Sequence, residues 1–192
     1  MVSGIITKGI GGFYYVDTGE KVYECRARGL FRLQNIIPMV GDRVEIEVDK
    51  DTHQGYVKNI AERKNEMIRP PVANIDQVIM VFAARKPNIN LELLQRFLVY
   101  AEYIGLRIVV CINKIDIGED EDLIFLEEMV KSIPYEFVKT SAVTKTGIKT
   151  LKSYLKGNVS VFAGPSGVGK STLLNEMAPY LRLKTSDVSQ KT

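Results

Sequence analysis

The chain has no tryptophan, one histidine and two cysteines, and each shortage closes off a class of function. A zinc site of the Cys/His type needs such ligands clustered at short spacing. His53, Cys25 and Cys111 stand too far apart in the sequence to build one. Two cysteines are also too few for a disulfide framework. Cys111 lies inside the apolar run L-R-I-V-V-C-I-N and reads as a reduced core residue, while His53, next to a glycine turn, reads as a surface residue. No apolar run approaches the roughly 20 residues of a membrane-spanning helix, and no signal peptide heads the chain. These absences point to the cytoplasm and to no membrane partner. Charge of one sign is lacking too: 26 Lys and Arg stand against 23 Asp and Glu, a net of +3. The chain as a whole is therefore not a polybasic nucleic-acid binder, although a local basic face can still exist. What is present is 192 residues with 45% apolar content, enough to bury a core in one large or two small domains.

The first 62 or so residues read as all β. Thr18-Gly19 joins the runs F-Y-Y-V-D and K-V-Y-E-C-R-A-R as a hairpin turn would. In the second run Tyr23, Cys25 and Ala27 share one face and Glu24, Arg26 and Arg28 the other; Val44, Ile46 and Val48 alternate with Glu45, Glu47 and Asp49 in the same way. Gly11-Gly12 interrupts the first run, as a bulge or barrel corner would. About five short strands suggest closure into a small barrel, which removes exposed edges, and the OB-type barrel is the expected form. Such barrels bind irregular or single-stranded nucleic acid by stacking and basic contacts. Phe13, Tyr14, Tyr15, Tyr23, Tyr56, Arg26, Arg28 and Arg32 are the candidates, weighed against a plain reading as barrel core and solvated face.

The barrel is expected over residues 1–65, a linker over 66–74 and an α/β domain over 75–192. The linker lies in R-K-N-E-M-I-R-P-P-V-A-N, where charge and Pro70-Pro71 stop regular structure. Beyond it the pattern switches to alternating strands and helices. Strands are predicted over Gln77–Ala84, Leu106–Ile112, Tyr135–Thr140 and Asn158–Ala163. Helices are predicted around the stripe Leu91, Leu94, Leu98 and Ala101, then over Asp120–Ser132, over Gly147–Leu155 and from Ser171 to Met177. Strands apolar on both faces, alternating with helices, imply a parallel sheet. Its ligands bind beyond the carboxyl ends of the strands.

The last strand runs into Gly164-Pro165-Ser166-Gly167-Val168-Gly169-Lys170-Ser171-Thr172, the pattern G-x-x-x-x-G-K-S/T in the strand–loop–helix context that a phosphate loop needs. The glycines let successive N–H groups turn inward as an anion nest, and the helix N-terminus adds to the field. Lys170 would reach the β- and γ-phosphates and stabilise charge there; the Ser171 hydroxyl would ligate Mg²⁺. Two other strand ends fall on the same edge. One carries Asn113-Lys114-Ile115-Asp116 and the other Ser141-Ala142. The Asp116 carboxylate suits guanine, whose N1–H and N2 amino group can both donate to it. Adenine offers no such pair, and a carboxylate facing it would stay desolvated and unpaired. The Lys114 stem can cover a face of the base, Asn113 can tie its loop to the phosphate loop, and the Ala142 N–H can donate to guanine O6. GTP or GDP with Mg²⁺ is the cofactor set these residues imply.

The order is unusual, because Asn113 precedes Gly164 by about fifty residues, the reverse of an ordinary small GTPase. A compact domain with neighbouring termini tolerates such circular permutation. With R-P-P-V-A-N-I-D-Q at Arg69 and L-L-Q-R-F-L-V-Y-A-E at Leu93, together with N-K-I-D at Asn113, T-S-A at Thr140 and G-P-S-G-V-G-K-S-T at Gly164, the sequence resembles the circularly permuted ribosome-assembly GTPases of the RsgA (YjeQ/YloQ) family. The likeness runs over essentially the whole chain. It implies a GTPase stimulated by the small ribosomal subunit, acting in late maturation of that subunit, with the barrel on its rRNA; a monomer is expected.

The chain departs from that pattern at its end. In the family, Thr185–Thr192 would lie just before the first switch, and a D-x-x-G motif and a zinc-binding domain would follow. Neither is found, so an N-terminal portion with an incomplete sheet is expected, able to bind nucleotide but not to hydrolyse it efficiently. A second reading is an RNA-binding module whose nucleotide domain is inert. A third, an ATP-using P-loop enzyme, leaves Asn113–Asp116 unexplained.

Overall fold

The computed structural model describes residues 1–27, 29, 31, 36–49, 54–118, 124, 127, 128, 134–181 and 183. Arg28, Arg32 and His53, most of the predicted helix over 120–132, and the stretch 184–192 lie outside the described residues. The chain divides into two compact units, Met1–Ile75 and Asp76–Thr192.

In the first unit β1 (Val2–Ile10), β2 (Phe13–Asp17), β3 (Val22–Ala27), β4 (Arg43–Val48) and β5 (Gly55–Ile60) close into a barrel of order β1-β2-β3-β5-β4. All neighbours are antiparallel except β3 and β5. The expected OB-type barrel is what forms. Alternation decides its interior: Ile6, Val16, Cys25, Val44, Ile46 and Val57 point inward and are buried. The pair Gly11-Gly12 is not a bulge or corner. It is the two-residue turn of the β1–β2 hairpin, with both residues at positive φ (59° and 84°), the backbone twist that matches two twisted strands. The bulge sits earlier in β1, between Ile6 and Lys8.

Where the composition suggests a linker, the chain forms a second, small hairpin of β6 (Glu66–Met67) and β7 (Val72–Ala73) within the first unit. Met67 and Ala73 are buried. Arg63 forks onto the fully buried Asp42, with Nε donating to Oδ1 at 2.8 Å and a terminal nitrogen to Oδ2 at 2.9 Å. Asn74 Nδ2 donates to the Gly41 carbonyl at 2.9 Å. Charge in this stretch is thus partly spent on an internal carboxylate rather than on solvation, which composition cannot reveal.

The second unit is a four-stranded parallel sheet of order β10-β9-β8-β11, from β8 (Gln77–Ala83), β9 (Arg107–Asn113), β10 (Glu136–Lys139) and β11 (Ser160–Ala163). The two apolar runs take the centre: every residue of β8 and all but Arg107 of β9 are buried. Helix α1 (Leu91–Tyr103) connects β8 to β9. It starts where the Asn90 side chain accepts from the Leu93 N–H, and it buries Leu94, Leu98 and Ala101. Helix α2 (Ile148–Leu155) lies between β10 and β11, and α3 (Lys170–Met177) follows β11. Leu151 and Leu173 carry these last two helices onto the core of Ile79, Val81, Val109 and Cys111. Because all four strands run the same way, their carboxyl ends meet along one edge, where the three sequence motifs come together.

Candidate functional site

The loop from Gly164 to Gly169 is shaped by close approach. Gly164 has φ 140°, and a Cβ there would stand 2.1 Å from the Val81 carbonyl oxygen; Gly169 has φ 93°, and its Cβ would stand 2.4 Å from Asn113 Nδ2. Both positions demand glycine, and they press the loop onto β8 and β9. Asn113, at the last position of β9, is buried; its Nδ2 donates to the Val168 carbonyl at 2.9 Å and its Oδ1 accepts from Thr140 Oγ1 at 3.2 Å. One amide side chain therefore ties the loops after β9, β10 and β11 together.

Lys114 takes the left-handed conformation (φ 63°), and its Nζ donates to the Lys86 carbonyl at 2.6 Å. This stretches the lysine stem across the cleft. Asp116 Oδ1 accepts from Ser141 Oγ at 2.6 Å, and Ser141 Oγ accepts from the Thr144 N–H at 3.1 Å. Ser141 is buried, so the carboxylate is held by a hydroxyl that is itself held. Lys170 Nζ curls back to the Gly164 and Pro165 carbonyls at 2.8 and 2.6 Å, and burial lowers its pKa from the ordinary 10.5. Two carbonyl dipoles compensate a half-buried ammonium weakly, which makes it ready to exchange them for an anion. Among the described residues no cluster of three His, Cys, Asp or Glu could hold a metal. Ser171 stands at the start of α3.

A cleft of about 620 Å³ opens along this edge; Asn113, Lys114, Asp116, Ala142, Gly169 and Thr172 line it. So do Lys86, Pro87, Ile117 and Val143, which sequence reasoning missed. The signal for the first two was available: β8 ends on the same edge as the other strands, so its loop must face the same ligand. Gly164, Pro165, Ser166, Gly167, Val168, Lys170 and Ser171 form the loop and helix start but do not line this cleft. A groove of similar size, about 660 Å³, lies on the barrel beside β1 and β4, and it gathers no comparable set of phosphate- or base-reading groups.

The barrel candidates separate by register. Tyr14 and Tyr23 share the inward faces of Val16 and Cys25 and pack on the core, so they are not surface aromatics. Phe13, Arg26 and Tyr56 are consecutive partners across β2, β3 and β5 and lie outward. The Arg26 guanidinium is 4.8 Å from the Phe13 ring centre. Tyr15 donates to Glu24 at 2.8 Å beneath Lys8, and that carboxylate raises the phenol's pKa.

Comparison with known proteins agrees with both units. The model of the RsgA GTPase family matches residues 60–192 and that of the RsgA N-terminal domain residues 3–57. The small ribosomal subunit biogenesis GTPase RsgA of Geobacillus sp. (strain WCH70) is 47% identical over 192 residues, an alignment covering 98% of this chain and 65% of that protein. Its counterpart in Caldanaerobacter subterraneus subsp. tengcongensis is 50% identical over 190 residues, covering 99% and 64%. The crystal structure of YjeQ from Thermotoga maritima matches with a TM-score of 0.80 at 42% identity, over 96% of this chain and 68% of that one. That of YloQ, described as a circularly permuted GTPase, matches with 0.73 at 40%, over 94% and 65%. The chain spans about two thirds of the length of these relatives. With both units matched in order and a parallel sheet whose N-K-I-D and S-A loops precede its Gly164–Thr172 loop, the chain belongs to the RsgA GTPase family.

Proposed function

We propose that this protein binds GTP and GDP in the cleft between Asp116 and the Gly164–Thr172 loop, and that the whole protein hydrolyses GTP during maturation of the small ribosomal subunit in the cytoplasm. The observation that carries the reading is Asn113. Its two hydrogen bonds join the base-reading edge to the phosphate loop, so one ligand can span both. Asp116 would accept from guanine N1–H and N2, Ala142 N–H would donate to O6, and Lys114 would cover the base. Lys170 would exchange its two carbonyls for phosphate oxygens and stabilise charge there, with Mg²⁺ held by Ser171 and the nucleotide's own phosphates. Outward Phe13, Arg26 and Tyr56 would meet ribosomal RNA. The test is displacement of fluorescent GDP from the chain, with Mg²⁺ present, by unlabelled GDP, GTP and ADP. Guanine nucleotides displace it and ADP does not, and Asp116→Asn moves the preference toward xanthine nucleotides. Equal displacement by ADP, or an unchanged preference in the variant, refutes the assignment of Asp116. The second reading is an RNA-binding module whose nucleotide domain binds nucleotide but is catalytically inert in this chain, because phosphoryl transfer needs metal, water and switch residues positioned together. Multiple-turnover GTP hydrolysis by this chain decides against it.

A further inference from the structure

Between Glu136 and Glu176 the chain has six lysines and no acidic residue, while its remaining 20 basic residues face 23 acidic ones. The positive charge of this near-neutral protein is therefore concentrated in this stretch of the second unit. Three of the six lysines are engaged: Lys139 with Glu127, Lys145 with Glu176 at 2.8 Å, and Lys170 in the phosphate loop. The other three, Lys149, Lys152 and Lys156, follow at spacings of three and four on α2 and its C-cap, which puts them on one helical face. All three are exposed. Lys152 has a long contact, 3.4 Å, to the Met177 carbonyl, and no carboxylate pairs with any of the three among the described residues.

These lysines line a groove of about 630 Å³ together with Tyr180, a ring that is 83% exposed. A row of cations beside a bare aromatic ring is the pairing that single-stranded nucleic acid recognises. Cations track phosphates, and the ring stacks on a base whatever its identity. A membrane surface fits less well. The exposed residues interleaved with the lysines are Thr150 and Ser153, which donate to phosphate oxygens; the apolar lining of Leu155, Leu174, Met177 and Ala178 is half-buried or buried, which leaves Tyr180 as the one exposed ring to insert among lipids. We propose that this face of the nucleotide-binding unit is a second RNA contact, separate from the barrel, in which Lys149, Lys152 and Lys156 hold the backbone of an unpaired segment and Tyr180 stacks one base. The partner's identity as ribosomal RNA rests on the proposed function; the surface itself does not.

The test measures binding of a fluorescein-labelled single-stranded oligouridylate across a salt series, for the intact chain, for Lys149→Gln/Lys152→Gln/Lys156→Gln, for Tyr180→Ala and for Arg26→Glu. With slopes of roughly 0.7 per phosphate contact on single strands, the triple variant loses about two from the slope of log K against log salt. Tyr180→Ala weakens binding roughly fivefold or more at every salt concentration with the slope unchanged. Displacement of fluorescent GDP stays at its starting value in these variants, which shows the fold intact. A triple variant with the original slope overturns the inference, and if Arg26→Glu then removes the binding, the barrel reading survives alone. No RNA binding by the intact chain, or lysine-dependent binding only to phosphatidylserine vesicles, also overturns it, while GDP displacement continues to judge the nucleotide site by itself.

Discussion

Replacing Asn113 by alanine tests the tie on which the site depends. The side chain is buried, and its removal takes away the amide that donates to the Val168 carbonyl. Thr140 loses an acceptor as well, but its hydroxyl keeps the Ile112 carbonyl and Cys111 Sγ, both at 3.4 Å. The cost therefore falls mainly on one buried carbonyl. Leaving such a group unpaired costs about 1–3 kcal/mol, and at about 1.4 kcal/mol per factor of ten that is roughly a 5- to 150-fold rise in the Kd for GDP. The phosphate loop also loses its tether to β9, so melting of the nucleotide-binding unit falls by several degrees. Asn113→Asp does worse, because it sets a carboxylate oxygen against the carbonyl. Titration with fluorescent GDP and thermal unfolding followed by circular dichroism read both effects. A variant that binds GDP within twofold of the original and melts at the same temperature refutes the reasoning.

Gly164→Ala sets a Cβ 2.1 Å from the Val81 carbonyl oxygen, so the loop must move away from β8; we expect loss of GDP binding and a lower melting temperature, and normal binding contradicts the close-approach reading. Burial lowers the Lys170 pKa from 10.5. Between the lowered value and 10.5 the unfolded chain holds more protons, so this group makes stability rise with pH in that window; GDP affinity falls over the same window as the unliganded ammonium deprotonates. Denaturant titrations over the alkaline range up to 10.5 show this rise, and Lys170→Met abolishes it. Arg63→Met strands the buried Asp42 carboxylate and costs about 3–5 kcal/mol, seen as a shift in the urea midpoint of the first unit with GDP binding unchanged.

The sheet and the site were legible because their signals are local and categorical. Continuous apolar runs of strand length, set between helical stripes, belong at the centre of a parallel sheet, and a glycine-rich loop ending in Lys-Ser between strand and helix is built for phosphate. The barrel was legible from alternation, since a period of two assigns each residue a face. What escaped depended on long-range placement. Gly11-Gly12 reads as an interruption until β1 is known to pair with β2 across it. The charged stretch around Pro70-Pro71 reads as a linker because nothing local reveals that Arg63 answers a carboxylate 21 residues earlier. Tyr14 and Tyr23 were grouped with Phe13 and Tyr15 by residue type, although the alternation that put Cys25 inside already put Tyr23 there. Lys86 and Pro87 carry no motif, and only the end of β8 locates them at the cleft.

The position of β11 has a consequence for synthesis. Ser160 pairs with Gln77, and their side chains meet across 83 residues, so the strand that presents the phosphate loop is the last of the described strands to be translated. Both base-reading loops leave the exit tunnel first, with the barrel ahead of them, and domains emerging in that order fold as they appear. The second unit has nothing to grip a phosphate, and Asn113 no Val168 carbonyl to hold, until β11 slots in beside β8. Under the proposed function, nucleotide capture becomes possible only once this stretch of the chain has been made and docked.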